Sequence, residues 1–95
     1  MATSTATVET DAAPRHAKQL VSHLGRKVPV SETESGRRLT FDFGTGDVRA
    51  DAAALVLTAT APDDESLALV ENVLGRHVER FGQRNALTVA WTRSA

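Results

Sequence analysis

The sequence predicts an α+β fold, a two-layer sandwich in the order β-α-β-β-β-α-β, with a largely antiparallel sheet and two helices packed on one of its faces. Two segments repeat apolar residues with the period of a helix, Ala12–Leu24 and Ser66–Phe81. Several shorter segments alternate apolar and polar residues, as strands with one buried face do. Two one-sided helices and a one-faced sheet can bury their apolar surfaces against each other, which favours this architecture.

The second helix has the longest periodic pattern in the chain. An aspartate of the segment Pro62–Glu65 is expected to cap it, and the other acids of that segment suit the positive end of the helix dipole. Gly82 is expected to end the helix. With about 100° of rotation per residue, His77 lies near the middle of the apolar face. The residues on this face are Leu67, Val70, Val73, Leu74, His77, Val78 and Phe81.

The first helix is expected over Ala12–Leu24, with Thr10–Asp11 as its N-cap. His16 and His23 are seven residues apart, and both fall on a polar flank of this helix. The sequence therefore predicts that neither imidazole belongs to the core. The apolar stripe of the helix is formed by Ala13, Ala17, Leu20, Val21 and Leu24.

Five segments have the composition and alternation of strands. The predicted strands are Thr5–Thr10, Val28–Thr33, Arg37–Phe43, Ala53–Ala61 and Leu87–Thr92. The second of these is expected at a sheet edge, because Pro29 cannot donate to a ladder. Gly44–Asp47 is predicted as a turn, and residues 1–4 as an irregular, disordered end. A ferredoxin-like arrangement with one additional strand is compatible with this order.

Length and composition limit the class of protein. Ninety-five residues correspond to a single domain, 1–95, and a core with only three Phe and one Trp must be mostly aliphatic. A net charge of −1 gives no general attraction to nucleic acid or a membrane surface, so neither is expected as a partner. The chain has no cysteine, no signal-peptide pattern and no membrane-spanning apolar run, so a cytoplasmic location is expected. The small core is compatible with a homodimer.

Basic and imidazole groups near the C-terminal ends of the two helices, with one aromatic residue, form the candidate ligand-binding site. Its members are His23, Lys27, His77, Arg80 and Trp91. Guanidinium groups bind carboxylates and phosphates, so a small anionic ligand is the expected class. Each member also has a structural interpretation: a solvated flank for His23 and Lys27, a satisfied core imidazole for His77, complement to the helix dipole for Arg80, and a core anchor for Trp91.

No catalytic residue, metal ligand or cofactor is predicted. His16 and His23 lie two helical turns apart, roughly 10 Å, so they cannot easily share one metal ion. Gly44 and Gly46 are followed by no helix, unlike the glycines of a phosphate-binding loop. No serine or threonine has an evident base and orienting group.

Two segments of the chain have the form of family motifs, RHAKQLVSHLGRKV at Arg15–Val28 and HVERFGQRNALTVAW at His77–Trp91. Together they resemble a known bacterial family, domain of unknown function 2218. The matching positions are Gln19, Leu20, His23 and Lys27 in the first segment, and His77, Arg80, Phe81, Leu87 and Trp91 in the second. The chain departs from the family pattern at His16-Ala17, where an aromatic is expected. The resemblance implies a small cytosolic bacterial domain with no assigned activity, and an association with siderophore-reductase-like proteins and iron acquisition.

Three hypotheses about function follow. The first is a non-enzymatic binding or accessory domain for a small anionic ligand or a protein partner, with iron or siderophore handling as its most concrete form. The second is a small enzyme in which His77 or His23 acts as acid or base and Arg80 holds a carboxylate. The third is a structural module that dimerises through the outer face of the sheet. The residues proposed for that interface are Val56, Thr58 and Ala90.

Overall fold

The sheet of this protein is built from short antiparallel strands, and two helices lie on it. The computed structural model describes residues 1–34, 36–81 and 89–94. The elements in these parts of the chain are β1 (Ala2–Glu9), α1 (Ala13–Leu24), β2 (Val30–Glu32), β3 (Arg37–Phe41), β4 (Gly44–Ala50), β5 (Ala54–Ala61), α2 (Asp64–Phe81) and β6 (Thr92–Arg93).

The strand order across the sheet is β2-β3-β4-β5-β1-β6, and every neighbouring pair is antiparallel. The predicted α+β fold is therefore confirmed. Because β5 and β6 both pair with β1, they run in the same direction, and α2 connects them across the sheet. The order β6-β1-β5-β4 is that of a ferredoxin-like sheet, which β3 and β2 extend at one edge. As predicted, β2 lies at an edge.

The core lies between one face of the sheet and the helices. Along β5, Leu55, Leu57, Ala59 and Ala61 are buried and alternate with half-buried residues, as the sequence pattern predicts. Both helices pack against β4 and β5 and against each other, so both lie on the same face. The opposite face carries rows of threonine side chains. These are Thr3, Thr5, Thr7, Thr40, Thr45, Thr58, Thr60 and Thr92.

The segment predicted as a turn, Gly44–Asp47, instead begins β4. The chain reverses one step earlier, at Asp42 and Phe43, and Phe41 pairs directly with Gly44. Both glycines lie at close approaches to other elements. A Cβ on Gly44 would lie 2.4 Å from the Thr60 carbonyl oxygen of β5, and one on Gly46 would lie 2.7 Å from Leu74 Cδ1 of α2. Glycine in a strand often marks such a close approach.

The first and last strands also differ from their predicted bounds. β1 begins at Ala2 rather than Thr5, so three of the four residues expected to be irregular pair with β5. Of the predicted last strand, Leu87 and Thr88 lie outside the described residues. Val89 is not in a strand, and its backbone N–H donates to Glu79 Oε2 at 3.0 Å. The paired part of this strand is β6, whose residues Thr92 and Arg93 lie opposite Thr5 and Ser4.

An ion pair attaches β6 to α2. Arg93 donates to both carboxylate oxygens of Glu71, at 2.9 and 3.3 Å. These hydrogen bonds outweigh the opposing effect of burial and hold the pKa of Glu71 below its ordinary value. A two-residue edge strand has few backbone bonds of its own, so this side-chain contact is a substantial part of its attachment.

The start of α2 has the cap that the sequence predicts. The Ser66 backbone N–H donates to Asp63 Oδ1 at 2.7 Å, and Asp64 and Glu65 occupy the first turn. The bond from the backbone N–H holds the pKa of Asp63 below its ordinary value, because it stabilises the ionised carboxylate.

We expect Asp63→Ala to lower the melting temperature at pH 7, because one backbone N–H of the first turn loses its acceptor. A group whose pKa is lower in the folded state contributes stability above its unfolded pKa, about 3.9, and loses it as the pH falls through the folded value. The difference from the parent protein should therefore shrink on acidification below pH 4. Asp63→Ser is the matched control, since a hydroxyl caps the helix at every pH. A pH-independent difference for Asp63→Ala would contradict this account.

Candidate functional site

His23 of α1 and His77 of α2 meet where the two helices touch. Their ring centroids are 5.2 Å apart, with the ring planes tilted by 51°. His77 is half-buried, and its Nδ1 lies 2.7 Å from the carbonyl oxygen of Val73, one turn earlier in α2. A carbonyl can only accept, so Nδ1 carries the proton of this bond, which orients the imidazole. His77 therefore combines the predicted structural role, a satisfied imidazole, with contact to a second titratable ring.

The buried stripe of α1 is rotated from the predicted one. It consists of Ala13, His16, Leu20 and Leu24. His16, predicted on the polar flank, is only 3% exposed, whereas Ala17 and Val21, predicted in the stripe, are half-buried. The physical reason is that, within the described residues, α1 packs beside another helix on one flank only. His16 lies two turns before His23, on the side where α1 meets α2, so α2 covers this flank.

Neither ring nitrogen of His16 has a hydrogen-bond partner among the described residues. A buried polar group without a partner lowers stability. We therefore expect His16→Leu, which replaces the imidazole by an apolar side chain of similar size, to raise the free energy of unfolding by about 1–2 kcal/mol. His16→Ala should lower it by about 2–4 kcal/mol through the cavity left behind.

Chemical denaturation measures both changes. His23→Leu is the matched control, because it makes the same substitution at an exposed position of the same helix and should give no such gain. A loss of stability in His16→Leu comparable to that in His16→Ala would show that the imidazole is held by a partner, and would contradict this interpretation.

Two basic clefts flank the histidine contact. The first, about 450 Å³, runs along α1 and is lined by Arg15, Lys18, Gln19, Ser22, His23 and Arg26. The second, about 420 Å³, runs along α2 and is lined by Asn72, Val73, Arg76, His77 and Arg80. The described lining of both clefts contains five cations and no carboxylate. We call this set, Arg15, Lys18, His23, Arg26, Arg76, His77 and Arg80, the basic helical surface.

The ion pairs of the protein lie away from this surface. In the described parts of the chain they are Glu32–Arg37, Asp47–Arg38, Asp51–Arg49 and Glu71–Arg93. Every arginine in these pairs is on a strand. The most regular pair is Arg38 with Asp47, which is bidentate at 2.7 and 3.2 Å and raises the pKa of Arg38. In the described residues, no carboxylate lies within salt-bridge distance of Arg15, Lys18, Arg26, Arg76 or Arg80.

The structure brings together only part of the predicted site. His23, His77 and Arg80 lie on the basic helical surface. Lys27 follows α1, where its backbone N–H bonds the Leu24 carbonyl oxygen, and it lines neither cleft. Trp91 lies beside Gly75, where its Nε1 would be 3.3 Å from an added Cβ. Gly75 and His77 are about 200° apart around α2, so Trp91 contacts a different side of the helix.

Sequence reasoning missed three cations of the basic helical surface, and these three have a signal in the sequence. They are Arg15, Lys18 and Arg26. Arg15 and Lys18 fall on one stripe of α1 together with Gln19 and Ser22, and Arg26, just after the helix, continues the same spacing with no acid in between.

Within the described residues, no three His, Cys, Asp or Glu side chains are grouped as they would be around a metal ion. In those same residues, no helix combines the length and apolar character needed to cross a membrane.

Comparisons with known proteins agree with the fold. The chain is similar to the NMR structure of PA4090 from Pseudomonas aeruginosa, with 29% sequence identity and a TM-score of 0.80. The similarity covers 97% of this chain and 96% of that one. No curated protein matches the chain. The model of a family described as uncharacterized proteins conserved in bacteria, DUF2218, matches residues 5–92, so the chain belongs to that family.

Proposed function

We propose that this domain binds a small anionic ligand at the basic helical surface and carries out no chemistry on it. The observation that carries the proposal is the segregation of charge. Five cations and two imidazoles line two adjoining clefts whose described residues include no carboxylate, while the strand arginines are paired. Guanidinium groups in such a cleft can bind a carboxylate or phosphate in bidentate fashion.

The overall charge of −1 does not oppose this binding. The acids of α2 are Asp64 and Glu65 in its first turn, Glu71 and Glu79. The first two are about 20 Å along the helix from Arg76 and Arg80, and charges are screened over about 8 Å at physiological ionic strength. The Glu71 carboxylate is paired with Arg93, that of Glu79 accepts a hydrogen bond from the Val89 backbone N–H, and neither lines the two clefts.

A more specific form of the proposal is that the anionic ligand is a ferric siderophore complex. The family resemblance is associated with siderophore-reductase-like proteins, and many ferric siderophore complexes are anionic. A ferric tris-catecholate complex would test it by competing with pyrophosphate for the basic helical surface, while the metal-free catechol would serve as the control. Competition by the ferric complex alone supports the iron version. Pyrophosphate binding without such competition supports only the general proposal.

A second candidate function is a small enzyme that uses His23 or His77 as acid or base and Arg80 to hold a carboxylate. The contact between the two rings favours it, because the histidines lie together beside an arginine. The two functions differ in what happens to the ligand. A phosphorus NMR spectrum of pyrophosphate that is unchanged after long incubation with the protein supports binding, and a new resonance supports catalysis.

We expect pyrophosphate to shift the amide resonances of the basic helical surface in a nitrogen-15 NMR titration. Arg76→Gln/Arg80→Gln should weaken binding at least tenfold, since a hydrogen bond to a charged group contributes about 1.5–3 kcal/mol. The matched control is Arg38→Gln/Arg49→Gln, which removes the same charge from the opposite face and should change the dissociation constant less than twofold. Equal losses in the two variants would show non-specific attraction and contradict the proposal.

The two imidazoles border the two clefts, so His23→Gln/His77→Gln should weaken pyrophosphate binding. His16→Gln, at a buried position of α1 that lines neither cleft, is the control and should leave the dissociation constant of the folded variant unchanged. Titration calorimetry at one fixed pH measures the effect. An unchanged affinity in the double histidine variant would show that these imidazoles lie outside the binding surface.

A further inference from the structure

A separate groove lies on the other flank of α1, between this helix and the sheet. Its volume is about 490 Å³. Ala17 and Val21 of α1 form one wall, and Val48 and Ala50 of β4 form the floor. This groove is more apolar than the basic clefts and shares Lys18 and Ser22 with the first of them.

The groove exists because the helical layer is narrower than the sheet. Six strands at about 4.8 Å spacing span about 24 Å, whereas two helices of about 10 Å diameter cover roughly 20 Å. Both helices pack over β4 and β5, which leaves the edge formed by β2 and the start of β3 uncovered. Val30 at this edge is accordingly 37% exposed, although its partner on β3, Leu39, is fully buried.

The sequence makes this open flank apolar. Ala17 and Val21 belong to the stripe that the pattern predicts as core, yet they remain half-buried. No side chain can fill the far end of the groove from Gly36, because a Cβ there would lie 2.1 Å from the Val48 carbonyl oxygen. The groove is therefore an apolar cavity maintained by small residues, and its surface is only partly covered by the protein itself.

Two cations stand at the rim of the groove, Lys18 and Arg37. Lys18 has no carboxylate within salt-bridge distance in the described residues. Arg37 is 3.5 Å from Glu32, and both side chains of that pair are mostly exposed, at 52% and 79%. An exposed pair of this kind is weak, so the guanidinium can exchange this partner for a bound anion.

We propose that this groove binds a small amphipathic anion. Its apolar body lies against Ala17, Val21, Val48 and Ala50, and its oxyanion head lies between Lys18 and Arg37. The size of the cavity favours a small molecule over a partner helix. Two turns of helix occupy roughly 900 Å³, whereas about 490 Å³ is within the range of ordinary small-molecule pockets. This site shares Lys18 with the basic helical surface but differs from it in its apolar wall and in Arg37.

The test uses decanoate, at concentrations below its micelle threshold, as the probe in nitrogen-15 NMR titrations of the full chain. Shifts centred on the amides of Ala17, Val21, Val48 and Ala50 are expected. Decyltrimethylammonium, which has the same chain and the opposite charge, should bind at least tenfold more weakly. Equal binding of the two probes, or shifts elsewhere only, would overturn the proposal. Groove shifts that follow protein concentration alone, with a dimer in light scattering, would assign the groove to a second copy and overturn it as well.

Substitutions test the apolar wall and the two cations of the groove separately. Ala50→Leu, at an exposed strand position, fills the groove and should weaken decanoate binding at least tenfold; Ala17→Leu is a second route to the same result. Ala68→Leu, at an exposed position of α2, is the matched control and should leave binding unchanged. Lys18→Gln/Arg37→Gln should weaken decanoate binding about tenfold and leave decanol binding unchanged. Full binding in a folded Ala50→Leu variant would overturn the proposal, whatever the outcome for pyrophosphate.

Discussion

The close approach of α2 to β4 is the constraint on which the other features of this structure depend. Leu74 lies against Gly46 and Val70 against Gly44, where an added Cβ would be 2.7 and 2.9 Å from their side chains. This contact places α2 over the middle of the sheet. The first helix then packs with one flank against α2, which buries His16 and brings His23 to His77. No described helix lies beside its other flank, where the groove between α1 and β4 is found.

The distribution of charged side chains also differs between the sheet and the helical layer. The strand arginines are neutralised by carboxylates on their own or neighbouring elements, and such pairs contribute little stability where both partners are exposed. Their main effect is on the field outside the protein, because a paired arginine attracts anions less than an unpaired one. In the described residues, the cations that line the two basic clefts have no carboxylate within salt-bridge distance, so the two faces of a nearly neutral protein present different potentials to a ligand.

Most of the fold could be predicted from local patterns, because alternation, helical period and capping act over a few residues. The alternation of Leu55 to Ala61 and the Asp63 cap are examples. The incorrect predictions concern residues whose positions depend on contacts with elements that are distant in the sequence. Gly44 and Gly46 have the composition of a turn, and the close approach of β5 to Gly44 and of α2 to Gly46 accounts for glycine at these strand positions. His16 was misplaced for the same reason, since a helical period cannot show which flank has a neighbour.

The candidate site was predictable to a similar extent. The helix periods indicated that His23, His77 and Arg80 lie near the ends of two helices on one layer, and the structure brings them together. Trp91 was included because it is near α2 in the sequence motif, but sequence proximity does not show which side of a helix a neighbouring segment contacts. Gly75 provides the space for the indole on the side of α2 away from His77.

The contrast between the two helices bears on whether the basic helical surface is functional. The second helix follows the local rules for stability, with an aspartate cap and acids in its first turn. The first has no side-chain cap and no acid in its first turn, and it places Arg15 near the positive end of its dipole. Local stability therefore does not explain the charges of α1. Where a sequence departs from such rules without a structural gain, a functional constraint is the expected cause, and the lining of the first basic cleft is what these residues have in common.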